Sequence, residues 1–176
     1  MNINFDLFDK NPFPEEKSVL PEFYRGDTEE DMIADIFTGK KLNEVNYKII
    51  SDKYIGKFDF LAIPSLMGDE AFVYFLPSLI QLAIDGEHDD TQLSELGFIL
   101  SNKLLDIARG SDKERLNLIE KMYNERQLRE FSKFLVEWAK YDDPDAMPVI
   151  GDLDDWWNLH IKSATDALHV YWGKYL

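Results

Sequence analysis

Asp69-Glu-Ala-Phe-Val-Tyr-Phe-Leu-Pro-Ser-Leu-Ile-Gln-Leu-Ala-Ile-Asp85 is the stretch that decides the fold. It holds eleven apolar residues, five of them consecutive from Phe72 to Leu76, and no charge between Glu70 and Asp85. A helix that is apolar nearly all round has no face for solvent, so it belongs inside, wrapped by others. The 15 residues from Glu70 to Ile84 are too few to cross a bilayer, which takes roughly 20. Pro77 lacks the backbone donor and crowds the turn before it, which predicts a kink or a restart of the helix. Phe72–Leu76 alone also fits a short buried strand, and periodicity does not separate the two. The acidic start, the length and the weak β-branched content favour helix. No catalytic chemistry sits on this segment.

The chain has 176 residues, enough for one domain with a real core. Apolar residues make up 45% and aromatic residues 14%, which excludes disorder. Against 19 basic residues stand 34 acidic ones, a formal charge of −15. Such a charge argues against nucleic acid, whose binders need a basic footprint, and against anionic membrane surfaces. It suits a basic protein partner reached by salt-sensitive steering, with plain solubility as the alternative reading. With no cysteine, disulfides, thiolate metal sites and cysteine nucleophiles are excluded, and redox compartment stays open. Met1–Lys10 has neither a basic region nor an unbroken apolar run, so no signal peptide is expected and the cytoplasm is the default.

Working outward, residues 1–26 place Pro12, Pro14 and Pro21 among Phe5, Phe8, Phe13, Phe23 and Tyr24, which predicts an extended arm packed on a helical body at 27–176. Asp27 or Thr28 caps a short helix with Glu29, Glu30 and Asp31 in its first turn and Gly39 at its end. Residues 40–68 fit a helix capped near Asn43 or a strand. Leu93, Leu96, Leu100, Leu104 and Ile107 make an amphipathic helix closed by Gly110. Ser111 starts the next, with Leu116, Ile119 and Met122 inward. Asn124 and Gln127 read as a capping box for a helix that buries Leu128, Phe131, Leu135 and Trp138. After a turn-rich break at 142–148, Asp152 caps a last long helix with Trp157, Ile161, Ala164, Leu168, Tyr171 and Tyr175 inward. No internal repeat is present. The expected fold is all-α, a single domain of about six helices around the Pro-kinked central one.

Charge is unevenly spread. Residues 1–35 hold ten acids and three bases, residues 85–95 five acids and no base, and residues 142–155 six acids and no base. Residues 111–141 hold seven bases against six acids. The acidity therefore concentrates in an arm and two connecting segments, where side chains can be presented to a partner; clustering on loops is also the ordinary state of loops.

Enzyme signatures are thin. His160 and His169 share the predicted last helix, but nine residues at about 100° each put them on opposite faces. His160 reads as a half-buried core imidazole near Trp156, and His169 as a solvated neighbour of Asp166. Glu87, His88, Asp89 and Asp90 form the best metal-like group, yet the spacing is not that of an EF-hand and Asp89 or Asp90 is needed as a helix cap. The paired Glu-x-x-Glu and Glu-x-x-Asp helices of all-α nucleotide pyrophosphatases find no counterpart beyond Glu29, Glu30 and Asp31. P-loop, dinucleotide-turn, His-Glu-x-x-His and Gly-x-Ser-x-Gly motifs are absent. No enzyme, cofactor or metal is expected. Trp156, Trp157, Tyr171, Trp172 and Tyr175 bracket the last helix and suit either the core or an interface. Trp172 falls one step off the inner stripe, which leaves it available as a surface anchor.

The segment Gly68–Ile84, with its aromatic-aromatic-Leu-Pro run, resembles the signature of an uncharacterised family of small acidic bacterial domains. In that family a helix with the pattern Leu-x-x-x-Gln-x-x-x-Ile-x-x-Phe-Leu follows, and Met122–Leu135 is similar to it. The resemblance covers roughly residues 56–140 and departs at the acidic arm and the Trp-rich end. Such domains look like immunity proteins of contact-dependent and secretion-delivered toxins; the resemblance implies no site residue.

The leading expectation is an immunity protein, an antitoxin that binds a cognate basic toxin through an acidic surface. Glu87, Asp89, Asp90, Asp142, Asp143, Asp145, Asp154 and Asp155 would supply charge, and Trp156 and Trp172 would serve as anchors. The alternatives are a metal-dependent enzyme using Glu87–Asp90 and a regulatory or adaptor helical module.

Overall fold

The computed structural model describes residues 1–8, 19–20, 28–48, 50, 60–86, 93–142 and 162–176. Among them are seven α-helices and no strand: α1 (Thr28–Phe37), α2 (Ile63–Leu66), α3 (Asp69–Asp85), α4 (Leu93–Ala108), α5 (Lys113–Met122), α6 (Glu125–Ala139) and α7 (Ser163–Val170). The protein is an all-α bundle built around α3, which buries twelve residues between Ala71 and Ala83. The helices α4, α5 and α6 pack against it. Residues 40–48 and 60–66, which fit helix or strand by pattern, contain short helical turns.

Local chemistry explains most boundaries. Gly39 ends α1 and Gly110 ends α4 with φ of 69° and 76°, a left-handed backbone that a side chain disfavours. The α4 stripe of Leu96, Leu100, Leu104 and Ile107 is fully buried. The cap of α5 is Asp112, one residue past the expected Ser111, and its carboxylate accepts from the Arg115 amide at 3.2 Å. The capping box of α6 forms as read: Asn124 donates its amide to Gln127 Oε1 at 2.8 Å, and Asn124 Oδ1 accepts from the Gln127 amide at 3.3 Å. Inward from there lie Leu128, Phe131, Leu135 and Trp138.

Pro77 does not restart the central helix, which runs unbroken from Asp69 to Asp85. The missing Pro77 N–H deprives the Val73 carbonyl of its intrahelical donor. The Tyr123 hydroxyl, between α5 and α6, donates to that carbonyl and also reaches Tyr74 O at 3.3 Å. Burial, with Tyr74 adding to it, pushes the Tyr123 phenol well above its ordinary pKa, so it remains a donor. Replacing it with Phe would leave a buried carbonyl unpaired, an expected loss of roughly 1–3 kcal/mol. Pro77→Ala returns the backbone donor, so Tyr123→Phe should cost less in that background. Urea unfolding of the four chains of the cycle measures the difference.

The last helix departs from expectation. Lys162, at φ −128° and ψ 19°, lies outside helical geometry and precedes α7, so no continuous helix runs from Asp152. Tyr171, at φ −146° and ψ −51°, breaks it again before a 3-10 turn at Trp172–Tyr175. His160 and His169 therefore do not share one regular helix.

Candidate functional site

Of the ten residues expected to meet a partner, the described residues include Asp142 and Trp172. Glu87, Asp89, Asp90, Asp143, Asp145, Asp154, Asp155 and Trp156 lie outside them.

Trp172 is not a surface anchor. It is fully buried, and its indole N–H donates to Leu104 O of α4 at 3.0 Å. Its own carbonyl accepts from Ser132 Oγ of α6 at 2.7 Å. A wheel that puts it off the inner stripe assumes a helix running through Tyr171; the backbone leaves helical geometry there, and the next residue is turned inward, its ring edge-on to Phe131 at 6.3 Å.

Asp142 is not a displayed charge either. It is 7% exposed, and Oδ2 accepts from the Thr165 amide of α7 at 2.6 Å. The acid at the end of α6 thus caps a helix that starts 21 residues later in the chain. Burial raises its pKa above the ordinary aspartate value, with nearby Asp166 adding to the effect, and the bonds from Thr165 and Ala164 offset part of it. The folded state therefore holds the proton more strongly than the unfolded one. This contribution favours folding at low pH and fades as pH rises through the two pKa values. Asp142→Asn keeps the acceptor without the charge, so its stability relative to wild type should rise with pH across that window. Asp142→Ala removes the titrating group too, so its stability relative to wild type should follow the same rise with pH, but lie below that of Asp142→Asn by about 1 kcal/mol for the lost cap. Thermal melts at a series of pH values distinguish the two.

Described residues that flank the two base-free acidic segments approach one another. Phe98 lies five residues, about 8 Å, inside the start of α4. Its ring meets Trp138 and Tyr141, at the end of α6, with centroid separations of 6.3 and 6.1 Å. The chain thus enters α4 after the segment 87–92 close to where it leaves α6 for the segment 143–161. Asp142, through Thr165, holds the end of the second segment at the same place.

Other charged groups are occupied within the fold. Asp166, expected beside His169, pairs with Arg109 at 3.0 Å, and His169 is exposed. Tyr171 donates to Glu120 at 2.6 Å and lies 3.1 Å from the Tyr175 hydroxyl. Lys174 sits over both rings, at 3.7 and 4.8 Å from their centroids. Among the described residues there is no group of three or more His, Asp or Glu placed to hold a metal, and no helix long and apolar enough to cross a membrane. The expected Glu87–Asp90 metal-like group lies outside the described residues.

Sequence reasoning missed Arg115, a cation on the inner face of α5, and Gly97, which lies flat under Trp138. Arg115 carries a weak signal, since it falls one helical turn before the inward Ile119. Gly97 carries none beyond being a glycine inside a helix.

These features define an all-helical bundle in which residues flanking the two base-free acidic segments lie close together. No family model matches the chain, and no curated protein or solved structure matches it either.

Proposed function

We propose that this protein is an immunity protein, a cytoplasmic antitoxin that binds a basic bacterial toxin and neutralises it through its acidic segments. One observation carries the reading: residues 85–95 and 142–155 hold eleven acids and no base, and the rings of Phe98 and Tyr141, near their roots, meet at 6.1 Å. On this reading the two segments are presented together, so that their like charges repel and an oppositely charged partner removes the repulsion. The likeness of Gly68–Ile84 and Met122–Leu135 to small immunity-like bacterial domains supports the same reading. Asp142 and Trp172 serve the framework, so the charge falls to Glu87, Asp89, Asp90, Asp143, Asp145, Asp154 and Asp155, and the anchor to Trp156.

The mechanism is occlusion. An acidic surface placed over a basic cleft excludes the toxin's anionic substrate, and needs no chemistry from this chain. Expression of the adjacent open reading frame, with and without this protein, provides the test. Growth arrest relieved by the wild-type chain, and not by one carrying Glu87→Lys, Asp89→Lys, Asp154→Lys and Asp155→Lys, is the expected result. Relief by both chains would remove the acidic segments from the mechanism, and relief by neither would remove the function.

A further inference from the structure

On a chain of net charge −15, helix α6 and its C-cap line up four bases on one face. Arg126, Arg129, Lys133, Val136 and Lys140 recur at steps of three and four residues, and all five are exposed. At about 100° per residue they share an arc of about 80°, and at about 1.5 Å per residue they run for about 21 Å. No acid of α6 enters that arc: Glu125 falls on one side of it, Glu130 and Glu137 on the other. Three of the bases are tethered. Arg129 Nε donates to Tyr175 O at 2.9 Å, Lys133 reaches Glu130 at 2.7 Å and Lys140 reaches Glu137 at 3.5 Å. Long side chains tethered in this way have less rotamer freedom to lose on binding. Val136, 44% exposed, is the apolar member of the arc.

We propose that this face docks a helix of a partner protein, one that carries acids at the same three- and four-residue steps, an apolar residue against Val136, and bases on its flanks. The surface itself selects that occupant. The backbone groups of α6 are used within the helix, so it offers an extended peptide none of the main-chain hydrogen bonds that a sheet edge supplies. A partner helix satisfies its own backbone and meets α6 through side chains alone. Glu125 and Glu137, both exposed beside the arc, repel a uniformly anionic strand such as nucleic acid. The same two acids pair with bases set beside an acidic centre, as the flanking positions of a two-stranded coiled coil do. A second copy of this chain is a poor occupant, because two bodies of charge −15 repel each other. The face is distinct from the acidic segments and does not rest on their binding a toxin.

The probe is a fluorescent helical peptide, three repeats of Glu-Ala-Ala-Glu-Lys-Ala-Lys with one central Glu replaced by Leu, titrated against the full chain. It is close to neutral, so the net charge of the chain neither draws it in nor drives it off. Saturable binding is expected, and a peptide of the same composition with its acids spread round the helix should bind at least about tenfold more weakly. A chain carrying Arg126→Glu and Lys140→Glu, folded by circular dichroism, should lose at least about tenfold in affinity for the first peptide. If that variant does not fold, the two peptides on the wild-type chain decide the matter. Equal binding of the two peptides, or no binding of either, overturns the proposal. Tighter binding of a single-stranded oligonucleotide than of the first peptide overturns it as well. No toxin enters the experiment, so its failure is distinct from a failure of the acidic segments.

Discussion

An Arg115→Met chain is expected to lose roughly 3–5 kcal/mol of folding stability, although Arg115 follows Lys113 and Glu114 in the charged first turn of a solvent-bordering helix. The guanidinium is buried and makes three separate attachments at the corner between α2 and α3. Its Nε donates to Asp69 Oδ1 at 2.8 Å, Nη1 to Pro64 O at 3.1 Å and Nη2 to Met67 O at 3.0 Å. Its plane also lies over the Phe72 ring, 4.2 Å from the centroid. The two carbonyls are buried, so methionine would fill the space and strand both, at a cost of about 1–3 kcal/mol each. Asp69 is 41% exposed and rehydrates, so the lost ion pair adds little. Lysine should recover only a small part, because one ammonium cannot serve three acceptors arranged for a fork. Urea unfolding measures the effect. A loss below about 1 kcal/mol would mean that the corner does not depend on this residue.

The second large effect is expected at Gly97. A Cβ there would fall well inside the contact distance of Cζ2 and Cε2 of the Trp138 indole. The indole cannot easily yield, being packed on Phe134 at 4.9 Å, Tyr141 at 5.8 Å and Phe98 at 6.3 Å. Gly97→Ala should therefore cost about 3 kcal/mol or more, at the upper end of overpacking, and lower the melting temperature by roughly 6–12 °C. Trp138→Leu alone should cost about 2–4 kcal/mol through the cavity it leaves. Combined, the two should cost clearly less than their sum, because the smaller side chain makes room for the methyl group. Additive losses would show that α4 and α6 do not meet at this point.

The parts that periodicity could reach are the parts that repeat within one helix. The α4 stripe, the buried side of α6 and the glycines ending α1 and α4 follow from neighbours three and four residues apart. What escaped depends on residues distant in the chain. Arg115 escapes because its acceptors, Pro64 and Met67, are about 50 positions away. Asp142 reads as one of a run of loop acids because the helix it caps starts at Ser163. Trp172 falls one step off the inner stripe only on a wheel carried across Tyr171, where the backbone leaves helical geometry. Pro77 predicts a kink or a restart of α3; the helix does not restart, and the Val73 carbonyl that loses its donor is met by the hydroxyl of Tyr123, 46 residues downstream of Pro77. Of the expected partner-facing acids, the one within the described residues turned out to be a cap. The grouping of the acidic segments was legible as two separate runs, and the approach of the residues that flank them was not.

The reading as a whole rests on acidic segments carried by a framework that folds without them. Calorimetric titration with the purified product of the adjacent open reading frame, at roughly 0.05 and 0.5 M salt, tests this most directly. Affinity should fall steeply with salt and disappear when Glu87, Asp89, Asp154 and Asp155 become lysine, while the helical circular dichroism and melting temperature stay as in wild type. Affinity that is indifferent to both salt and the four reversals would contradict it.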